Sequence, residues 1–204
     1  MKLVVVSAGL SVPSSTRLLA DRLAAATVGR TPAEVQVVEL RDLAVEIAHT
    51  FTNGFPSRNL AAAFDAVAAA DGLIVVTPVF SASYSGLFKS FFDALSVTDE
   101  NALGGKPVIV GATGGTARHS LVLDHALRPL FAHLKAVVVP TGVYASSEDW
   151  GAGGLDGRIE RAAGELAALM GGLSAASEPA GKPADDAFEV VPFEERLAAL
   201  RPTG

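Results

Sequence analysis

Five short runs of aliphatic and β-branched residues, at 3–6, 35–40, 73–76, 108–110 and 136–139, recur along this chain with a helical pattern between each and the next. That alternation constrains the fold more than any other feature. A run that is apolar at nearly every position has no solvent face, so both of its sides must be covered, as in a parallel sheet with helices on either face. Helices are predicted over 15–26, 60–69, 85–95, 117–134 and 155–170. The first carries Leu18, Leu19, Leu23 and Ala26, with Ser14 or Ser15 as its cap. Phe64 and Val67 share a side of the second, and Leu87, Phe88, Phe91, Phe92 and Leu95 crowd the third. Pro129 should perturb the last third of the fourth, because it lacks the N–H that a helix interior uses.

Five βα units predict an α/β fold with an open, doubly wound sheet. Five parallel strands fit the flavodoxin-like order 2-1-3-4-5 better than the six-stranded dinucleotide order. The 204 residues suit one domain. We place it at 1–172 and read 173–204 as an extended C-terminal arm. That stretch holds Pro179, Pro183, Pro192 and Pro202 among Gly and Ala, with short apolar pieces at 188–191 and 193–200.

Composition removes several function classes. A net charge of −6 argues against nucleic acid or an anionic membrane as partner. Without cysteine there is no disulfide, thiolate nucleophile or zinc–thiolate site, and the four histidines form no metal-ligand pattern, so no metal is expected. The apolar run at the N-terminus is too short for a signal-peptide core, and no uninterrupted stretch reaches membrane-spanning length. A cytoplasmic location is the expectation.

In a doubly wound sheet, ligands bind beyond the carboxyl ends of the strands. Three loops are thereby selected. The first, 7–16, holds Ser7, Ser11, Ser14, Ser15 and Thr16 and opens a helix, a setting suited to a terminal phosphate monoester. It has neither the Gly-Lys-Ser/Thr of a nucleotide-triphosphate loop nor a G-x-G-x-x-G. The alternative is a Ser-rich turn with an N-cap. The second, 77–89, carries Pro78, Val79, Phe80, Ser81 and Tyr84, whose aromatics could flank a planar ring or instead pack on neighbouring helices or a second subunit. The third, 111–119, has Thr113, Gly114 and Gly115, where bare backbone can approach a flat ligand or simply turn.

These loops, in this order, resemble the NADPH-dependent FMN reductase family, and most of all the flavin reductases of two-component monooxygenases. The segments that carry the likeness are 77–80 with 84–86, 112–116, and 124–130, within a match over roughly residues 2–170. The resemblance implies that Ser11, Ser14, Ser15 and Thr16 hold the FMN phosphate. It implies that Pro78, Val79, Phe80, Ser81 and Tyr84 line the isoalloxazine, and that Thr113, Gly114 and Gly115 meet its far edge. Members often have an arginine near Ser11, which is missing here, so the hydroxyls, the backbone or Arg17 would have to serve. Many have tyrosine where Phe80 stands. The monooxygenase-coupled subgroup has a π-helical bulge in the fourth helix with an aromatic residue at a subunit interface, and His125 occupies that position; a plain helix-face histidine is the other reading.

The resemblance thus implies an NAD(P)H-dependent FMN reductase, using FMN with NADPH or NADH and supplying reduced flavin to a monooxygenase partner. Hydride transfer between the two cofactors requires no general base, and no catalytic side chain is named. A quinone or azo reductase with bound FMN and an electron-transfer flavodoxin are the alternatives. The surplus of apolar residues on the third and fourth helices, Phe88, Phe91 and Phe92 among them, predicts a homodimer or homotetramer.

Overall fold

The computed structural model describes residues 1–176, and the arm expected at 173–204 therefore lies, beyond Ala176, outside the described residues. Among these residues seven strands form one sheet: β1 (Lys2–Ser7), β2 (Glu34–Glu39), β3 (Gly72–Phe80), β4 (Ser83–Tyr84), β5 (Pro107–Gly114), β6 (Val137–Val138) and β7 (Val143–Ser146). Its path is β2-β1-β3-β5-β6, all parallel, with β7 also parallel to β5 and β4 a short antiparallel return on β3. The expected order stands. The expected count of five does not, because the last strand is broken into β6 and β7 around Pro140 and β3 folds back on itself.

Among the described residues six α-helices cover the sheet: α1 (Ser15–Val28), α2 (Ala44–Asn53), α3 (Arg58–Ala68), α4 (Gly86–Thr98), α5 (Arg128–His133) and α6 (Gly154–Ala176). Along β1 the side chains alternate between two cores. Leu3 and Val5 join Leu19 and Leu23 of α1 and Ile159 and Leu166 of α6, while Val4 and Val6 join Phe64, Phe88 and Phe131 on the opposite face. Burial on both faces is why the strands read as continuous apolar runs.

The phenylalanines expected to cover a second copy are consumed internally. Phe88, Phe91 and Phe92 are fully buried, with Phe88–Phe92 and Phe92–Phe131 ring centroids 4.9 and 5.0 Å apart. They fill the space between α3, α4 and α5, so they offer nothing to a partner.

The long helix expected at 117–134 is not continuous. Residues Ala117–His119 form a 3₁₀ turn, Leu123–Leu127 a π-helical turn, and only Arg128–His133 is α-helical. The π turn closes with the Arg128 N–H donating to the Leu123 carbonyl, five residues back. Pro129 gives a physical reason: its ring would clash with the His125 carbonyl of a regular helix, and the wider turn relieves that contact.

Candidate functional site

The first loop leaves β1 at Ser7, which is buried and whose hydroxyl has no partner among the described residues. Ala8 N–H still donates to Val76 O at 2.9 Å, holding the loop's start to β3. Ser14 caps α1, its Oγ accepting from Arg17 N at 3.2 Å. Capping uses a lone pair and leaves the O–H free to donate outward. A Cβ on Gly9 would collide with Ser14 Oγ, so this turn requires glycine there. Ser15 is exposed, and Thr16 is buried with its Oγ1 2.7 Å from Thr113 Oγ1. That contact joins the first loop to the third.

The second loop is a hairpin. Ser81 (φ 49°) and Ala82 (φ 63°) are both left-handed, as a two-residue turn between β3 and β4 demands. Its base is stapled by buried Thr77, whose hydroxyl accepts from Ser85 N at 3.0 Å and donates to Pro78 O at 3.0 Å. Ser85 in turn caps α4, accepting from Phe88 N at 3.2 Å. Phe80 remains 49% exposed.

The third loop follows β5. Tyr144 of β7 is buried and donates its hydroxyl to Thr116 O at 2.7 Å. Burial, and then the nearby Asp149 charge, push the Tyr144 pKa up, so it stays a donor. A Cβ on Gly114 would collide with that hydroxyl, whereas one on Gly115 would meet open space. Beside this loop, the Asp149 carboxylate accepts from Ser146 Oγ (2.6 Å), Ser146 N (2.8 Å) and Arg158 Nη2 (2.6 Å). The Ser146 hydroxyl is the largest reason that Asp149 is held down at about 2.

Together the loops enclose a cleft of about 460 Å³. It gathers Ser11, Ser14, Ser15, Thr16, Pro78, Val79, Phe80, Thr113, Gly114 and Gly115, all expected from the sequence, and adds Leu10 and Ser147, which were not. Leu10 lies within the first loop, but an apolar side chain carries no phosphate-binding signal. Ser147 follows β7, a strand the sequence reading lacked. Among the described residues, no charged side chain lines this cleft. Hydroxyls at the start of α1 can hold a phosphate monoester, and the facing Pro78, Val79 and Phe80 can flank a flat ring.

Two expected residues fall elsewhere. Ser81 sits at the hairpin corner, outside the cleft lining. Tyr84 lines a second groove of about 570 Å³ between α4 and α5, with Lys89, Asp93, His125, Pro129 and His133. Its ring lies 6.0 Å from Phe88. Arg17, expected as a substitute for the missing loop arginine, turns away from the cleft to Asp21 (2.7 Å) and Glu39. Among the described residues there is no cluster of side chains fit to hold a metal, and no helix is long and apolar enough to cross a membrane.

Comparison with known proteins gives a consistent set. The family model for NADPH-dependent FMN reductase matches residues 1–151. An FMN reductase (NADPH) of Pseudomonas aeruginosa is 42% identical over 85% of this chain and 94% of its own length. The NADH-dependent FMN reductase SfnF of Pseudomonas fluorescens is 40% identical over 84% of this chain and 92% of its own. Among solved structures, an oxidoreductase from Corynebacterium diphtheriae superposes with a TM-score of 0.79 at 49% identity, covering 84% of this chain and 97% of that one. The apo form of the NADH:FMN oxidoreductase EMOB gives a TM-score of 0.70 at 31% identity, over 81% of this chain and 89% of that one.

Proposed function

Because this chain belongs to the NADPH-dependent FMN reductase family, we propose that the cleft between its first, second and third loops is where FMN is bound and reduced. The chain is an NAD(P)H:FMN oxidoreductase. When flavin and nicotinamide are both bound, the chemistry they supply is hydride transfer from the nicotinamide ring to the flavin ring. The protein's part is to bind and orient, and we assign no catalytic side chain.

One observation carries the placement: a single cleft offers a hydroxyl-rich end at the start of α1 and an apolar, glycine-bearing end at β3 and β5. Ser11, Ser14, Ser15 and Thr16 hold the phosphate. Pro78, Val79 and Phe80 flank the ring, and Thr113, Gly114 and Gly115 meet its edge. Ser81 and Tyr84 reach the flavin of a neighbouring copy or not at all, since they lie outside this cleft. Steady-state oxidation of NADH and of NADPH with FMN, FAD and riboflavin tests this. Ser15→Ala should raise the KM for FMN and leave that for riboflavin alone. Equal changes for both flavins would remove the phosphate from this loop.

Residues 1–172 serve as the reductase unit, α6 carries the chain on to Ala176, and the remainder to 204 serves as an arm attached to it, in the cytoplasm. The unit works as a homodimer or homotetramer and delivers reduced FMN to a flavin-dependent monooxygenase. Support comes from the π turn that holds His125, exposed on the groove that also holds Tyr84. Light scattering should report at least a dimer, and a monomer at micromolar concentration would overturn the assembly.

A further inference from the structure

Among the described residues, no charged side chain lines the cleft that is to hold a phosphate dianion. The first loop carries no Lys or Arg between Ser7 and Thr16. The next basic residue, Arg17, is occupied by two carboxylates: Asp21 at 2.7 Å and Glu39 at contact. Yet one guanidinium does reach the loop from outside. Arg41 sits in the 3₁₀ turn Leu40–Leu43 that follows β2, a turn anchored by the fully buried Leu40. Its Nη1 donates to the carbonyl of Ser11 at 3.0 Å.

We infer that Arg41 is the residue by which this enzyme distinguishes phosphorylated flavin from riboflavin, acting through Ser11. The inference rests on the reading that the first loop holds the FMN phosphate. Two observations support it. Arg41's own carboxylate partners are longer than those of Arg17, with Glu39 at 3.8 Å and Asp42 at 3.3 Å, so its charge is less fully compensated. A guanidinium also has five N–H donors in a fixed fork, and these contacts employ three nitrogens once each. Donors remain after Ser11 is held. The bond to Ser11 O fixes the course of the loop just before Ser14 and Ser15, and it brings a positive charge to the rim of a cleft whose described lining has none. Arg41 is thus a positioning residue that contributes charge, not a catalytic one.

The test is fluorescence titration of FMN and riboflavin into the wild type, Arg41→Gln, Arg41→Lys and Ser15→Ala, at low and high salt, with a melting curve on each. Arg41→Gln should weaken FMN about ten- to a hundredfold, the range that one charge-assisted bond commands, and leave riboflavin within about twofold. Its FMN affinity should depend less on salt than the wild type's, and Arg41→Lys should recover part of both. If Ser15→Ala discriminates against FMN and neither Arg41 variant does, the phosphate reading stands and the role of Arg41 is wrong. Loss of both flavins together with a lowered melting point makes Arg41 merely structural. If no variant separates the flavins, the phosphate is not at this loop, and the inference falls with that reading. Arg41→Lys keeps charge and reach, so a melting failure of Arg41→Gln alone still leaves the salt dependence to decide.

Discussion

The first and third loops face each other across one cleft and are each pinned by a side chain on a backbone carbonyl, but they present different surfaces. The first is fixed by polar side chains: Ser14 caps α1, and Arg41 holds the Ser11 carbonyl from a neighbouring turn. What it presents is hydroxyl groups. The third is fixed by the Tyr144 hydroxyl, which donates to the Thr116 carbonyl and against which Gly114 is laid, and it presents backbone. The two meet at Thr16 and Thr113. A loop that presents hydroxyls can read charge, and a loop that presents bare backbone can read the outline of a flat ring. The flavin's two ends should therefore be separable by mutation.

The largest expected effect comes from stripping the first loop. Changing Ser14, Ser15 and Thr16 together to alanine removes up to three bonds to the phosphate, each worth about 1.5–3 kcal/mol, so FMN binding should fall by about 4 kcal/mol or more while riboflavin changes little. Part of any common loss belongs to the fold, since Ser14 is a helix cap and Thr16 is bonded to Thr113. Paired titrations with both flavins separate the two contributions, and equal losses would erase the distinction between the loops.

Glycine changes in the third loop should act on both flavins alike. Gly115→Ala meets nothing in the protein, so its melting point should hold while FMN and riboflavin each weaken by about 1–2 kcal/mol, as expected if a ring lies against that position. Gly114→Ala drives a methyl into Tyr144 and should cost about 1–3 kcal/mol of stability, part of which Tyr144→Phe in the same chain restores. A phosphate-selective effect at either glycine would break the comparison.

His125 lies outside both loops, on the groove between α4 and α5. His125→Ala should alter FMN retention by a few-fold without shifting the melting curve, because the side chain is exposed in the monomer. Unchanged affinity and turnover would confine flavin recognition to the cleft.

The smallest effect is electrostatic. Asp149 is depressed to about 2, foremost by the Ser146 hydroxyl, from an ordinary value of about 3.9. The carboxylate therefore stabilises the folded chain fully above about pH 4, and that contribution drains away as pH falls toward about 2. Melting curves of the wild type and Asp149→Asn should differ by a constant amount above pH 4 and converge below it. A gap that widens toward acid would contradict this sign.

Much of this architecture is visible in the sequence because it is local. Strands buried on both faces read as apolar runs, Ser14 precedes an apolar periodicity, and Pro129 interrupts one. The loop residues of the cleft follow from where those strands end. Helix α2 is ten residues long, buries only Ile47 and Thr50 and leaves Val45 and Phe51 exposed, which makes it a short element with a small core contribution. Strand β7 is four residues long and follows a proline, which hid Ser147. Phe88, Phe91 and Phe92 looked like surface because helix periodicity cannot count how many neighbours surround a helix. Arg41 and Tyr144 were invisible for another reason: each acts on a backbone carbonyl 30 and 28 residues away, respectively, and such a pair leaves no spacing to detect.

FMN should lie between the first, second and third loops and not in the larger groove between α4 and α5. Amide hydrogen exchange with and without saturating FMN tests it most directly. Protection is predicted at residues 8–17, 78–80 and 112–116, with riboflavin protecting the last two segments but not the first. Protection confined to residues 83–100 and 125–135 would place the flavin in the other groove and contradict the account.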